Sequence, residues 1–257
     1  MARGGNITIY HNHPFHVQLQ YLSFVNHASS ITRSMPDTLT LRIDLLYVRP
    51  PVTRTFMVSS DISMYELHFI IQTVMGWSNE HLYRFDVGGS YPVKPPRRYI
   101  PKADGQRSIA DERLVFDDDD GDRVTDAHDV TVGEAFTDVI GTKVKYEYDF
   151  GDEWIHHLEL LDRSDSSEED EEELPLVISG QNACPPEDCG GPPGYGGLRM
   201  VLNDPTHSEY QRRKEWMRMI GHSNFDPKKY SVDEINIELR KLKEHIREFE
   251  VNMESAP

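Results

Sequence analysis

The chain has 257 residues, with 27 Lys and Arg against 44 Asp and Glu, and so a formal net charge of −17 at pH 7. A field of that sign repels phosphate backbones, which argues against nucleic-acid binding, and two cysteines are too few for a disulfide framework. No apolar run approaches the ~18 residues needed to cross a bilayer and no signal peptide opens the chain, so a cytoplasmic protein without membrane partners is expected.

Residues 1–37 read as an N-terminal extension, with the alternating ITIYH and FHVQLQYL joined through Asn12-His13-Pro14 as an added hairpin, and SSITRSMPD as a linker. LTLRIDLLYV then alternates, Pro50-Pro51 interrupts, and TRTFMV resumes, which predicts a pair of strands. Ser60-Asp61 offers a cap for a helix over roughly 63–75, where Leu67, Ile70, Ile71 and Val74 make one apolar stripe. Gly76-Trp77 ends it, and HLYRFDV supplies another strand, giving a β-grasp-like first half. The Pro-, Arg- and Gly-rich stretch 88–113 reads as an irregular insertion.

A short helix capped near Thr131 is predicted over 129–139, with Val132, Ala135, Phe136 and Val139 inward. Segments 143–149 and 154–161 predict an antiparallel hairpin closed at Gly151-Asp152. Beyond a Gly/Pro-rich loop, 198–202 reads as a helical turn and 207–220 as a helix burying Tyr210, Trp216, Met217 and Ile220. The last helix, 232–249, aligns Ile235, Leu239, Leu242, Ile246 and Phe249. The fold class is α+β: a mixed or antiparallel sheet, helices packed on it, and a helical C-terminal part.

The residues that could carry chemistry crowd into 143–195. Period two puts Trp154, His156, Leu158 and Leu160 on one strand face, so His156 emerges among apolar neighbours. It could act as ligand or general base, or be a buried histidine satisfied by one hydrogen bond. The Gly-Asp turn accounts for Asp152 better than it does for Asp149. The loop SGQNACPPEDCGGPPGY, expected to pack over the hairpin, carries Cys184 and Cys189 around Glu187 and Asp188.

The two cysteines should lie close together with His156 as their nearest histidine. Together with a carboxylate these three could complete a tetrahedral zinc site. A conditional disulfide and simply packed thiols are the other readings. Asp149, Asp152, His156 and Glu187 are candidate catalytic residues around a divalent ion. Trp154, Glu187, Asp188 and Tyr195 are a candidate binding surface for a protein or peptide partner.

Other motifs fall away. DDDDGD cannot be an EF-hand loop, because Phe116 and Ala127 would occupy its first and twelfth positions. His11, His13 and His16 could bind a metal only adventitiously. GGPPGYGG has no lysine, and its prolines remove the donors a phosphate cradle uses. Neither GxSxG nor HExxH occurs.

Taken together, YEYDFGDEWIHHLEL and SGQNACPPEDCGGPPGY, supported by SDISMYELHFIIQTVMGW with HLYRF and by FDPKKYSVDEIN, resemble the plasmid pRiA4b ORF-3-like family from about Leu39 to Asn236. On that pattern Asp149, Gly151, Asp152, Trp154 and His156 fall on the hairpin motif. Cys184, Pro186, Glu187, Asp188, Cys189, Gly190, Gly191 and Tyr195 fall on the loop motif.

The resemblance implies a family domain over 38–236, with 237–257 the end of the last helix and a tail. It also implies kinship with uncharacterised proteins often carried on plasmids and transposons, and site positions rather than a reaction. Two departures stand out. Relatives commonly have a cysteine where this chain has Leu176-Val177-Ile178-Ser179-Gly180, and a Trp-Arg pair where it has Val52-Thr53-Arg54. The resolvase-like label of some relatives finds no support, since there is no early nucleophilic serine among arginines and no basic helix-turn-helix tail. The expected function is a binding or adaptor module, the alternative being a metal-dependent hydrolase or nuclease-like enzyme of mobile elements.

Overall fold

The computed structural model describes residues 36–88, 107–110, 124–136, 142–167 and 173–254, with side chains up to residue 244 except that of Arg107. The expectations for residues 1–35, the His11, His13 and His16 group, the DDDDGD run, Val139, and the side chains of Ile246 and Phe249 lie outside the described residues.

The first alternating segments form β1 (Asp37–Leu45) and β2 (Val52–Ser59), paired antiparallel with Leu41 opposite Phe56. Leu39, Leu41, Ile43, Val52, Phe56 and Val58 are fully buried, so one face of this pair is core. Arg54 sits on that buried face. Its guanidinium donates to the carbonyls of Val74 and Gln181, each at 2.8 Å, and lies 3.8 Å from the Tyr230 ring centre. The charge is thus accommodated by carbonyl dipoles and an aromatic face.

Helix α1 (Met64–Met75) begins at Ser63, whose hydroxyl accepts from the Glu66 N–H while the Glu66 carboxylate accepts from the Ser63 N–H. This reciprocal capping box outcompetes Ser60-Asp61 as the start signal. Gly76, at φ +84°, closes the helix. Leu67, Ile70, Ile71 and Val74 are all buried, as the stripe required.

Strand β3 (Tyr83–Val87) pairs antiparallel with β4 (Arg107–Ala110) and with β6 (Lys143–Tyr148), and β5 (Val124–Asp126) lies parallel to β4. The end of the stretch expected to be irregular is therefore a strand. A 3-10 turn over Ala127–Asp129 leads to the short α2 (Val132–Ala135), which is capped by Thr131 and buries Val132, Ala135 and Phe136. β6 and β7 (Trp154–Asp165) form the predicted antiparallel hairpin, with Tyr146 opposite His156. β7 also pairs with β1, and β8 (Leu176–Gln181) with β2.

The sheet order is β5-β4-β3-β6-β7-β1-β2-β8, antiparallel except for β4 with β5. The fold is α+β on a mixed eight-stranded sheet. The β-grasp-like pairing is not seen: β1 lies between β2 and β7, while β3 lies between β4 and β6.

Three further helices follow: α3 (Gly191–Leu202), α4 (Tyr210–Met219) and α5 (Val232–Glu254). α3 starts earlier than predicted, inside the Gly/Pro run. Pro192 and Pro193 stand in its first turn, where the missing N–H groups would have had no helical acceptor. Of the four residues predicted inward on α4 only Met217 is buried, and Ile220 is exposed. On α5, Leu239 is fully buried, with Ile235 and Leu242 packed beside it.

Asn236 of α5 clamps edge strand β8. Its Oδ1 accepts from the Val177 N–H at 2.8 Å and its Nδ2 donates to the Val177 carbonyl at 3.0 Å. Edge groups that could template another strand are thereby occupied. No helix among the described residues is long and apolar enough to cross a membrane.

Candidate functional site

The tip of the β6–β7 hairpin is wider than a two-residue turn. Asp149 and Glu153 take left-handed backbone at φ +55° and +53°, and the Glu153 N–H donates to the Asp149 carbonyl at 2.7 Å. Left-handed backbone suits Asp because its short side chain can bond nearby N–H groups. Asp149 Oδ1 does so, accepting from Gly151 at 2.9 Å and Asp152 at 3.3 Å. The Asp149 N–H donates to the Leu82 carbonyl at 3.0 Å, which draws the start of β3 to the tip.

The cysteine loop docks against this tip. Trp77 Nε1 donates to the Pro185 carbonyl at 2.9 Å. The Glu187 carboxylate accepts from the Ser78 N–H at 2.8 Å, from the Ser78 hydroxyl, and from the Tyr148 hydroxyl at 2.5 Å. Asp152 Oδ2 accepts from the Gly190 N–H at 3.0 Å.

The double glycine has a steric origin. Gly190 and Gly191 have φ +91° and +65°, and a Cβ on Gly191 would fall 2.2 Å from the Asp152 carbonyl oxygen. The expected packing of loop on hairpin is thus present, and its carboxylates Glu187 and Asp152 are the fasteners.

Two members of the expected binding surface are not on the surface. Trp154 is fully buried and Tyr195 is 1% exposed. Trp154 follows the inward face of β7, and Tyr195 the inward face of α3 rather than a loop. His156 is likewise sealed. Its Nδ1 lies 3.4 Å from the Tyr146 carbonyl, its Nε2 has no hydrogen-bond partner, and the Trp77 ring stands edge-on at 5.3 Å. Burial pushes its pKa down to about 3, so the imidazole is neutral.

Cys184 and Cys189 are free and buried. Burial pushes the Cys189 thiol up to about 12 and the Cys184 thiol higher still, although the Arg54 guanidinium acts on Cys184 in the other direction. Neither is a ready thiolate nucleophile.

Among the described residues, the group of three metal-capable side chains with ligand atoms within 4.8 Å of one another is His81, Asp149 and Asp188. It does not include Cys184, Cys189 or His156. His81 Nε2 lies 3.6 Å from Asp149 Oδ2 and 3.2 Å from Asp188 Oδ1. The imidazole stands edge-on to the Tyr148 ring, with centres 5.8 Å apart.

Sequence reasoning singled out Asp149 and Asp188 but passed over His81 as the opening of a strand. The signal was non-local. The register pairing Tyr83 with Tyr148 carries the residues just before β3 to the hairpin tip. Elsewhere, a cavity of about 220 Å³ lies between β2, α1 and α5, lined by Val58, Ile62, Glu66, Ile70, Leu174 and Leu242. None of the residues of the hairpin and cysteine-loop motifs lines it.

A mixed-sheet α+β domain whose cysteine- and carboxylate-bearing loop is fastened to a hairpin tip is the class these observations define. The chain belongs to the plasmid pRiA4b ORF-3-like protein family, which it matches over residues 37–234. It is 32% identical over 199 residues to the uncharacterized protein y4hQ of Sinorhizobium fredii (strain NBRC 101917 / NGR234), covering 76% of this chain and 87% of that one. It is similar to the crystal structure of MM3350, a protein of unknown function from Methanosarcina mazei Go1. That likeness has a TM-score of 0.62 and 26% identity, over 78% of this chain and 98% of the other.

Proposed function

We propose that this domain is a binding module whose ligand face is the rim where Asp188 projects, and that its partner is a protein or peptide engaged through cationic side chains. The observation that carries this is the division of roles within one loop. Glu187 is fastened to Ser78 and Tyr148, Cys189 is buried, and Asp188 between them is held outward with its side chain 65% exposed. A second carboxylate, Asp149, stands on the other side of His81. Paired carboxylates on a rigid rim, in a chain of net charge −17, favour a cationic ligand and disfavour a polyphosphate one. A cytoplasmic setting fits the two free thiols.

The alternative, a hydrolase or nuclease using Asp149, Asp152, His156 and Glu187, is less well supported. Asp152 and Glu187 are engaged in fastening the loop, and His156 has no surface from which to exchange a proton with a substrate. Of the four, Asp149 is the member of the metal-capable group.

The test is fluorescence anisotropy with short Lys/Arg-rich and Asp/Glu-rich peptides. The basic peptides should bind in a salt-sensitive way, and Asp188→Asn should weaken them about tenfold, as expected for one lost charge contact of roughly 1.4 kcal/mol. Equal binding by the variant, or preference for acidic peptides, would overturn the reading.

A further inference from the structure

We propose that His81, Asp149 and Asp188 form a binding site for a divalent transition-metal ion of the manganese-to-zinc series. The proposal rests on the function proposed above only in treating this rim as the ligand face. What it adds is the imidazole, which a cationic partner does not use and a metal ion does.

The spacing matches that of ligands around an ion and is longer than that of a tight charge-assisted hydrogen bond. A charge-assisted N–H···O bond closes to about 2.7–2.9 Å. His81 Nε2 instead stands 3.2 Å and 3.6 Å from the two carboxylate oxygens. Ligands on bonds of about 2.0–2.2 Å in a tetrahedral or octahedral shell lie roughly 3.0–3.5 Å apart. His81 Nε2 is also shielded from water and makes no hydrogen bond, so the two carboxylate oxygens are the polar atoms it faces.

The carboxylates are oriented for the same task. Asp149 gives one oxygen, Oδ1, to the Gly151 and Asp152 N–H groups, which fixes the plane of the carboxylate. The other, Oδ2, faces His81. Ligands held this way by outer hydrogen bonds are a recurring feature of metal sites. Asp188 is fixed through its neighbours, since Glu187 is fastened to Ser78 and Tyr148, and Gly190 to Asp152.

Accessibility rises across the site, from 11% for the Asp149 side chain to 29% for His81 and 65% for Asp188. An ion therefore has a protein floor and an open side for water or a further ligand. One imidazole with two carboxylates suits borderline divalent ions, and the nitrogen donor disfavours calcium.

The experiment uses the full chain, purified without a histidine tag and freed of metal with chelator. Mn²⁺ is titrated against its free-ion electron paramagnetic resonance signal, and Zn²⁺ in a separate titration by calorimetry. A saturable site is expected that weakens at least about tenfold in His81→Gln and in Asp149→Asn. Asn keeps the Oδ1 acceptor and tolerates the backbone of position 149, so the metal-free melting temperature of that variant should stay near the parent's.

Absence of saturable binding into the millimolar range would overturn the proposal. So would binding that persists in both variants, because the ion would then sit elsewhere among the 12 histidines. The peptide assay separates the two readings. His81→Gln should lose the ion and keep the basic peptide. Loss of the ion in these variants, with no peptide binding by the parent, would leave the metal site standing and remove the cationic partner.

Discussion

Two histidines flank neighbouring tyrosines of one strand and meet opposite fates. On the inner face of the hairpin, the His156 ring lies 5.2 Å from that of Tyr146, fully buried, with its pKa pushed down to about 3. At the tip, His81 stands edge-on to Tyr148, partly open to solvent and between two carboxylates. For the first, burial outweighs every neighbouring group, so it remains neutral. The second has two carboxylates beside it and a side chain partly open to solvent, so it stands where an arriving ion can be met. A histidine on an apolar strand face therefore says less about chemistry than one that a sheet register delivers to an exposed pair of carboxylates. The sealed face should govern stability and the rim should govern ligands, and each substitution below tests that division.

The largest effect is expected where loop meets tip. Gly191→Ala places a methyl 2.2 Å from the Asp152 carbonyl on a backbone at φ +65°, and should cost about 4 kcal/mol through clash and left-handed strain together. Gly196, on the same helix, has nothing within 4 Å of a built Cβ. Gly196→Ala should instead stabilise by about 0.5–1 kcal/mol, through helix propensity. Urea melts of the two variants check this. Similar midpoints would mean that the loop is not pinned at this contact.

Next comes Glu187→Ala, which strips the acceptor from Ser78 and from the Tyr148 hydroxyl. The charged acceptor serves donors partly withdrawn from water, so a loss of about 2–3 kcal/mol is expected. A near-neutral result would show that Asp188 is positioned by something other than this fastener.

His156 gives the sealed face its pH signature. Its pKa is near 6.5 when unfolded and about 3 when folded, so between these values the unfolded chain binds a proton that the folded chain refuses. Stability from this group is fully present above about pH 6.5 and falls as pH drops towards 3, by about 1.4 kcal/mol per unit. Denaturation of the parent and of His156→Gln at several pH values measures the difference in slope. Parallel lines would mean that His156 is already open to protons.

Much of this sealed face was legible in the chain. The alternation at Trp154, His156, Leu158 and Leu160 follows from strand geometry alone, and all four are buried. The stripe of Leu67, Ile70, Ile71 and Val74 follows equally from helix geometry.

What stayed hidden depended on partners far along the chain or on position within an element. β8 is short, and it pairs with β2, so nothing local marks it strongly. The first turn of α3 hid behind prolines that usually end helices but are tolerated where the N–H has no acceptor. Tyr195 was expected on the surface because that helix was read as loop. His81 was missed because its partners are supplied by the β3–β6 register and by the loop around Asp188.

The smallest expected change in stability is the most telling. Asp188 is largely exposed and sits at φ +57°, a conformation Asn adopts as readily as Asp. Asp188→Asn should therefore leave the metal-free melting curve within about 0.5 kcal/mol of the parent, as is usual for a surface substitution that breaks no packing. The same variant should lose the upward shift of melting temperature that saturating Mn²⁺ or Zn²⁺ gives the parent, because a ligand that binds only the folded state stabilises it by mass action. A drop of more than about 1 kcal/mol without metal would show Asp188 to be part of the loop's fastening. A retained shift would leave the ion at Asp149 and His81 alone. Either result would erase the division between a face that holds the protein together and a rim that is free to bind.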